Sequence, residues 1–348
     1  IDKNHFKFKA LVKKDVGLHS FQTVAFGLYK VLYYIIAYLR FPLFNHLRWA
    51  YYARRVFRMK GLQKTMRQVK PDYVYISQGI NYDGMDYAHL IEKLKVPYSI
   101  ICQKVIETDF PSDEKTNTQI RKTFLNAHKI FFVSNHNKII TEEQIGTYLP
   151  QSVVILNPNK FQDLKDIPTT NFNAEEFIFL CIGRFYIFDK GQDILIRILN
   201  MQKWRKRHIM VHLIGKGIDK HAIASRIKHY DLDNIDFKDY NDNILDNWKD
   251  AQGLILPSRH EGLPLVLLEA MSLGKICIVG NAGGSNEIVK DGYNGFMGDP
   301  TTESFDAAME RAWQARNNWL EISRNAQLTI KSRFNNIYPH DVVIQETI

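Results

Sequence analysis

The sequence predicts an α/β protein with two doubly wound parallel sheets, and three observations carry that expectation. Short apolar runs recur along the chain with helix-length segments between them, a pattern that builds parallel sheets through right-handed crossovers. At 348 residues the chain is long enough for two domains with real cores. A polar stretch near 157–172, carrying Pro158 and Pro168, separates the two alternating regions. These point to two Rossmann-like domains facing a central cleft, residues 1–165 and 166–348.

In the first half, residues 6–12 read as a short strand and 20–66 as one or two long helices, broken near Pro42 because proline cannot continue a helix. Tyr73–Ile76 is an expected strand, followed by a helix from Asp83 to Leu94 with Asp83 as N-cap. Val96–Ile101 is a strand, Thr116–Ala127 a helix and Lys129–Val133 a strand. Asn135–Gly146 is a helix ended by its glycine, and Val153–Leu156 a last strand. The second half alternates more cleanly, with strands near 177–182, 209–214, 234–237, 253–257, 276–279 and 295–297. Residues 317–348 read as partly helical.

Composition narrows the class. Hydrophobic content of 45% suits a globular protein. Cys102, Cys181 and Cys277 all sit in apolar runs, which argues for reduced, buried thiols and a cytoplasmic setting. Neither a C-x-x-C nor a histidine cluster suggests a structural metal. Asp231-Leu232-Asp233 looks like a metal-binding D-x-D, yet it falls where a turn is expected, and aspartate is common in turns.

The most informative segment is SRHEGLPLVLLEAM at 258–271. Glu261 and Glu269 stand eight positions apart, after an apolar strand and across the start of an apolar helix. Proline is well tolerated at the first helical position, so the helix is expected to open at Pro264. Glu261 then lies in the strand-to-helix loop and Glu269 about a turn and a half inside the helix. Free N–H groups of a first helical turn favour an anion. Upstream, residues 182–191 read IGRFYIFDKG; downstream come NAGGSNEIV at 281–289 and DGYNGF at 291–296.

Together these resemble the glycosyltransferase family 4 enzymes, which use the two-domain GT-B fold. The E-x7-E, G-R-x(n)-K-G and Gly-Gly…Glu-Ile-Val elements appear in order over about Phe177–Trp313. The resemblance implies a retaining, metal-independent enzyme without a cofactor that moves a hexose from a UDP- or GDP-sugar to a glycan or lipid-linked acceptor, in cell-surface polysaccharide synthesis. It further implies that the last helix packs back on the first domain. Arg184 and Lys190 would hold the donor diphosphate, whose charge grows as the anomeric bond breaks. Glu269 would accept both ribose hydroxyls, and Glu261 would touch the transferred sugar. Gly262, Leu263 and Pro264 would present backbone to sugar or phosphate. Gly183, Gly215, Gly283 and Gly284 would let backbone approach the donor closely, and Tyr240 would lie near the base. The leaving phosphate oxygen can itself take the acceptor proton, so no enzymic base is required. The chain departs from the family where many relatives carry a histidine, since Cys102-Gln103 stands there instead. Gln103 is the acceptor-side candidate. A nucleotide-sugar epimerase of the same fold and a non-catalytic sugar-nucleotide-binding scaffold are the alternatives.

The N-terminal region departs as well. A family member opens with an apolar strand and a glycine-rich loop; neither is found after Ile1, so the first domain is expected to lack its first strand. Residues 1–70 hold fifteen Lys and Arg against Asp2 and Asp15, a net of +13 within the chain's +9. Residues 21–57 carry twelve aromatics interleaved with arginines. Residues 20–60 therefore suit peripheral contact with an anionic inner membrane leaflet. A core-packed helix with a solvated basic face accounts for the same pattern at least as well. The longest apolar run there is too short for a transmembrane helix. No recognised nucleic-acid module accompanies the charge, which argues against a nucleic-acid partner.

Overall fold

The computed structural model describes residues 59–111, 113–161, 170–239, 244–334 and 338–347. Residues 1–70 and 71–348 form separate compact units. In the first, residues 59–69 are helical. The basic aromatic stretch before residue 59, half of the expected linker and Tyr240 lie outside the described residues.

The second unit holds two parallel sheets. The smaller contains β1 (Val74–Gln78), β2 (Tyr98–Cys102), β3 (Lys129–Phe132) and β4 (Ser152–Val154) in the order β1-β2-β3-β4. Its connecting helices are α1 (Met85–Lys93), α2 (Glu114–Leu125) and α3 (Asn135–Ile145). The larger contains β5 (Phe177–Ile182), β6 (Ile209–Ile214), β7 (Ile235–Lys238), β8 (Gly253–Leu256), β9 (Ile276–Gly280) and β10 (Phe296–Gly298). Its order is β10-β9-β8-β5-β6-β7. Among its helices are α4 (Ile187–Lys190), α5 (Gln192–Leu199), α6 (Lys220–His229), α7 (Leu265–Ser272), α8 (Ser285–Ile288), α9 (Thr302–Gln314), α10 (Trp319–Phe334) and α11 (Pro339–Thr347).

Continuous apolar runs produce this arrangement because parallel strands are covered on both faces. Every residue of β8 and β9 is buried. One face of the larger sheet packs Phe179, Val211 and Leu213 with α5, Trp204 and Trp319. The other packs Leu180, Leu254 and Leu256 with Leu267, Leu268 and Met271 of α7 and with Ile330 and Phe334 of α10. Val133, just past β3, joins this second cluster, so apolar packing continues from one sheet to the other. On α11, Glu346 accepts from Lys129 Nζ of β3 at 2.7 Å.

Helix starts show where local chemistry overrides pattern. Asp83 does not cap α1; its Oδ2 accepts from the N–H of Ile80 at 3.1 Å, and Gly84 takes the cap position at φ 75°. The carboxylate closes the turn before the helix, leaving a left-handed step to glycine. α2 begins earlier than expected, at Glu114, because Asp113 caps it through the N–H of Thr116. Ser134 caps α3 and Gly146 ends it at φ 63°. Pro264 is the N-cap of α7 and not its first residue: φ is −65° but ψ is 119°, still extended. Asp231 sits at φ 50° just past α6, a turn geometry. The three cysteines are free and buried. Among the described residues, no helix is long and apolar enough to cross a membrane.

Gly191 joins α4 to α5 at φ 63°, and a Cβ there would lie 2.0 Å from the carbonyl oxygen of Pro257. Gly191→Ala is expected to destabilise the protein by about 1–3 kcal/mol, read by urea denaturation. An unchanged midpoint would contradict this packing.

Candidate functional site

In open parallel sheets, ligands bind beyond the carboxyl ends of the strands where strand order reverses. In the larger sheet that reversal falls between β5 and β8. The loop leaving β5 carries Gly183 to Gly191, and the loop leaving β8 carries Pro257 to Pro264. Topology thus brings together two motifs that lie some seventy positions apart in the chain.

Where these two loops meet there is an ion pair. Lys190 Nζ lies 2.6 Å from Glu261 Oε1, with side chains 17% and 8% exposed. Arg184, more exposed, reaches Asp189 Oδ2 at 3.3 Å. Glu261 lies four residues before Leu265, the first residue of α7. Deeper in α7, the Glu269 side chain is only 13% exposed, and Lys160 Nζ stands 3.9 Å away. Burial pushes the Glu269 carboxyl above its ordinary range, and Lys160 offsets this only in part.

Three of the glycines named from sequence, Gly215, Gly262 and Gly283, fit tightly against backbone. A Cβ on Gly262 would fall 1.7 Å from the carbonyl oxygen of Gln103. One on Gly283, at φ 55°, would fall 2.1 Å from that of Glu261, and one on Gly215 would fall 1.9 Å from that of Gly183. Gly284 N donates to Gly262 O at 2.5 Å. Gly183 N donates to Ile214 O at 3.0 Å, and its nearest side chain is Lys190. Leu263 is buried, and its carbonyl accepts from Asn157 Nδ2 at 2.6 Å. These glycines let the loops after β5, β6, β8 and β9 nest together, and they press Gly262 onto the smaller sheet. Gln103 follows β2, with its side chain exposed and donating to Ser77 Oγ at 2.8 Å.

Several residues around these loops were missed from sequence. Arg259 forms a two-pronged pair with Asp193, at 2.8 and 3.0 Å, tying the loop after β8 to α5. Burial alone would raise the Asp193 carboxyl, but Arg259, with Arg197 and Arg226, outweighs it and holds it low. Asp189, 2% exposed, pairs with Lys104 Nζ at 2.6 Å. Glu287 of α8 accepts from the N–H of His136 at 2.8 Å and from Asn135 Nδ2 at 3.2 Å, both in the first turn of α3. Its place in the Glu-Ile-Val element was a visible signal; its partner was not. His136 Nε2 lies 2.9 Å from Glu107. His128 packs on Tyr73, away from the motif loops.

The fold raises the pKa of the Glu269 carboxyl by burying it. Its favourable share is present below the unfolded value of about 4.5 and is lost as pH rises through the folded one. Glu269→Gln is therefore expected to melt no lower than the parent at pH 7, with any gain vanishing near pH 4. Thermal denaturation at both values checks this; a variant less stable only at pH 7 would contradict it.

Comparison with known proteins agrees with this architecture. Residues 163–329 match the family described as glycosyl transferases group 1. An uncharacterised glycosyltransferase of Methanocaldococcus jannaschii is 26% identical over 64% of this chain and 62% of its own length. The chain thus spans less than two-thirds of that relative. A UDP-Gal:alpha-D-GlcNAc-diphosphoundecaprenol alpha-1,3-galactosyltransferase of Escherichia coli is 47% identical over 16% of this chain and 13% of its own. The structure of Anabaena HepE in complex with UDP superposes with a TM-score of 0.67 at 18% identity, covering 82% of this chain and 80% of that one. Residues 163–329 are thus similar to the glycosyl transferases of group 1, and the two-sheet architecture is the GT-B fold.

Proposed function

We propose that this protein is a retaining glycosyltransferase that moves a hexose from a UDP- or GDP-sugar to a glycan or lipid-linked acceptor, without a metal. The observation that carries the reading is the Lys190–Glu261 pair at the strand-order reversal, in the loops leading to the start of α7. A departing diphosphate gains negative charge, and fixed cations with a helix N-terminus oppose it at the moment it forms. Lys190 is a compact charge and Arg184 a planar fork, so together they suit the two phosphates. Donor entry draws Lys190 from Glu261 and leaves that carboxylate free to accept from a sugar hydroxyl. Glu269 takes the ribose hydroxyls. Gln103 stands on the acceptor side, where its backbone meets Gly262.

The relatives support a uridine donor: one solved neighbour holds UDP, and the Escherichia coli relative is named for UDP-Gal and a diphosphoundecaprenol-linked acceptor. We assign donor binding to residues after about 165 and acceptor binding to those before. The basic stretch at 20–60 would place such an acceptor at an anionic membrane surface.

Two measurements test the reading. In thermal shift with UDP, GDP and ADP and no added metal, one nucleotide at 100 times its dissociation constant is expected to stabilise by about 2.7 kcal/mol. Lys190→Ala is expected to abolish most of that response; a variant that responds like the parent would overturn the diphosphate assignment. Sugar transfer from labelled donor separates an enzyme from a scaffold, which binds nucleotide and turns over none.

A further inference from the structure

Asp189 immediately precedes Lys190 and is 2% exposed. Its Oδ2 receives two cations, Arg184 Nη2 from the loop after β5 at 3.3 Å and Lys104 Nζ from the loop after β2 at 2.6 Å. Lys104 follows Gln103 past the end of β2 and is itself buried, its side chain 10% exposed. Its Asp189 contact joins residues 85 positions apart. The Arg184 side chain, by contrast, is 68% exposed, and its bond to Asp189 is the longer of the two.

This inequality has a chemical consequence. An anionic carboxylate two residues' reach from a diphosphate seat competes with the phosphates for the same guanidinium. A second cation held tightly on that oxygen weakens the competition. Lys104 and Asp189 are buried, and buried charges are far less screened than surface ones, so salt weakens their pair less than it weakens the exposed Arg184 contact.

We propose that Lys104 is a positioning residue: by neutralising Asp189 from the smaller sheet, it keeps Arg184 available to the donor diphosphate. Donor affinity then depends on the two sheets being together, although Lys104 touches no phosphate. The proposal rests on the diphosphate reading of Arg184 and Lys190.

Isothermal titration with UDP and GDP tests it on four proteins: the parent, Lys104→Met, Asp189→Asn, and the two changes combined. Lys104→Met is expected to weaken nucleotide binding about tenfold, because Asp189 then holds Arg184. The combined variant removes both charges of the pair, so it escapes the buried unpaired charge that threatens folding of either single change. Combining them is expected to restore affinity to within about threefold of the parent. A combined variant as weak as Lys104→Met would overturn the proposal and make Lys104 a direct phosphate ligand. Should Lys104→Met alone fail to fold, the combined variant against the parent decides the question by the same criterion. Lys104→Met binding like the parent would also overturn it. If the parent binds neither nucleotide, the donor reading itself fails, a result distinct from any of these.

Discussion

A lysine and a glutamate at 2.6 Å, nearly out of water, are the constraint on which the rest of this structure turns. A buried pair is costly to assemble, and removing one member leaves an uncompensated charge. The surrounding fold accordingly invests in placing both. Lys190 ends a four-residue helix anchored by Gly191 against Pro257. Glu261 is held between Gly283 behind it and Arg259, which pins the same loop to Asp193. Such a pair is weak evidence for stability. It makes more sense as a stored pairing that an incoming anion and its sugar exchange for better partners.

The second constraint is how the sheets meet. Gly262 approaches the Gln103 carbonyl, Glu287 caps the first turn of α3, Asn157 reaches Leu263, and Lys104 reaches Asp189. Each contact lands on or beside a motif loop, so these loops are braced by both sheets at once. The glycines of the Gly-Gly element act here as backbone spacers. A side chain at Gly284 would strike Ser134, the cap of α3. Their immediate physical role is to let the loops close on each other; any approach to a donor adds to that role.

Much of this was legible in the residues. Apolar runs placed all ten described strands to within two or three positions, because buried parallel strands leave little room for polar residues. The motifs of Lys190 and Glu261 meet in space, and the reversal of strand order explains why their loops do. Less legible were features decided by a single side chain's choice of partner. Asp83 preferred a turn to a cap, and Pro264 stayed extended at the helix edge. Least legible were Lys104, Asp189 and Glu287. Their partners lie 85 and 151 positions away, and no local pattern encodes a contact that forms only when two sheets dock. The missing family histidine and the Gln103 beside its place were visible, whereas the contacts of Gln103 were not: its backbone carbonyl meets Gly262 and its side chain donates to Ser77 Oγ.

A crystal structure of the protein soaked with UDP or GDP tests the central claim most directly. The account predicts diphosphate density against Lys190 Nζ and the first turn of α7, with Lys190 drawn off Glu261 and the ribose at Glu269. Nucleotide density elsewhere, or at these loops with the Lys190–Glu261 pair intact and untouched by phosphate, would contradict it.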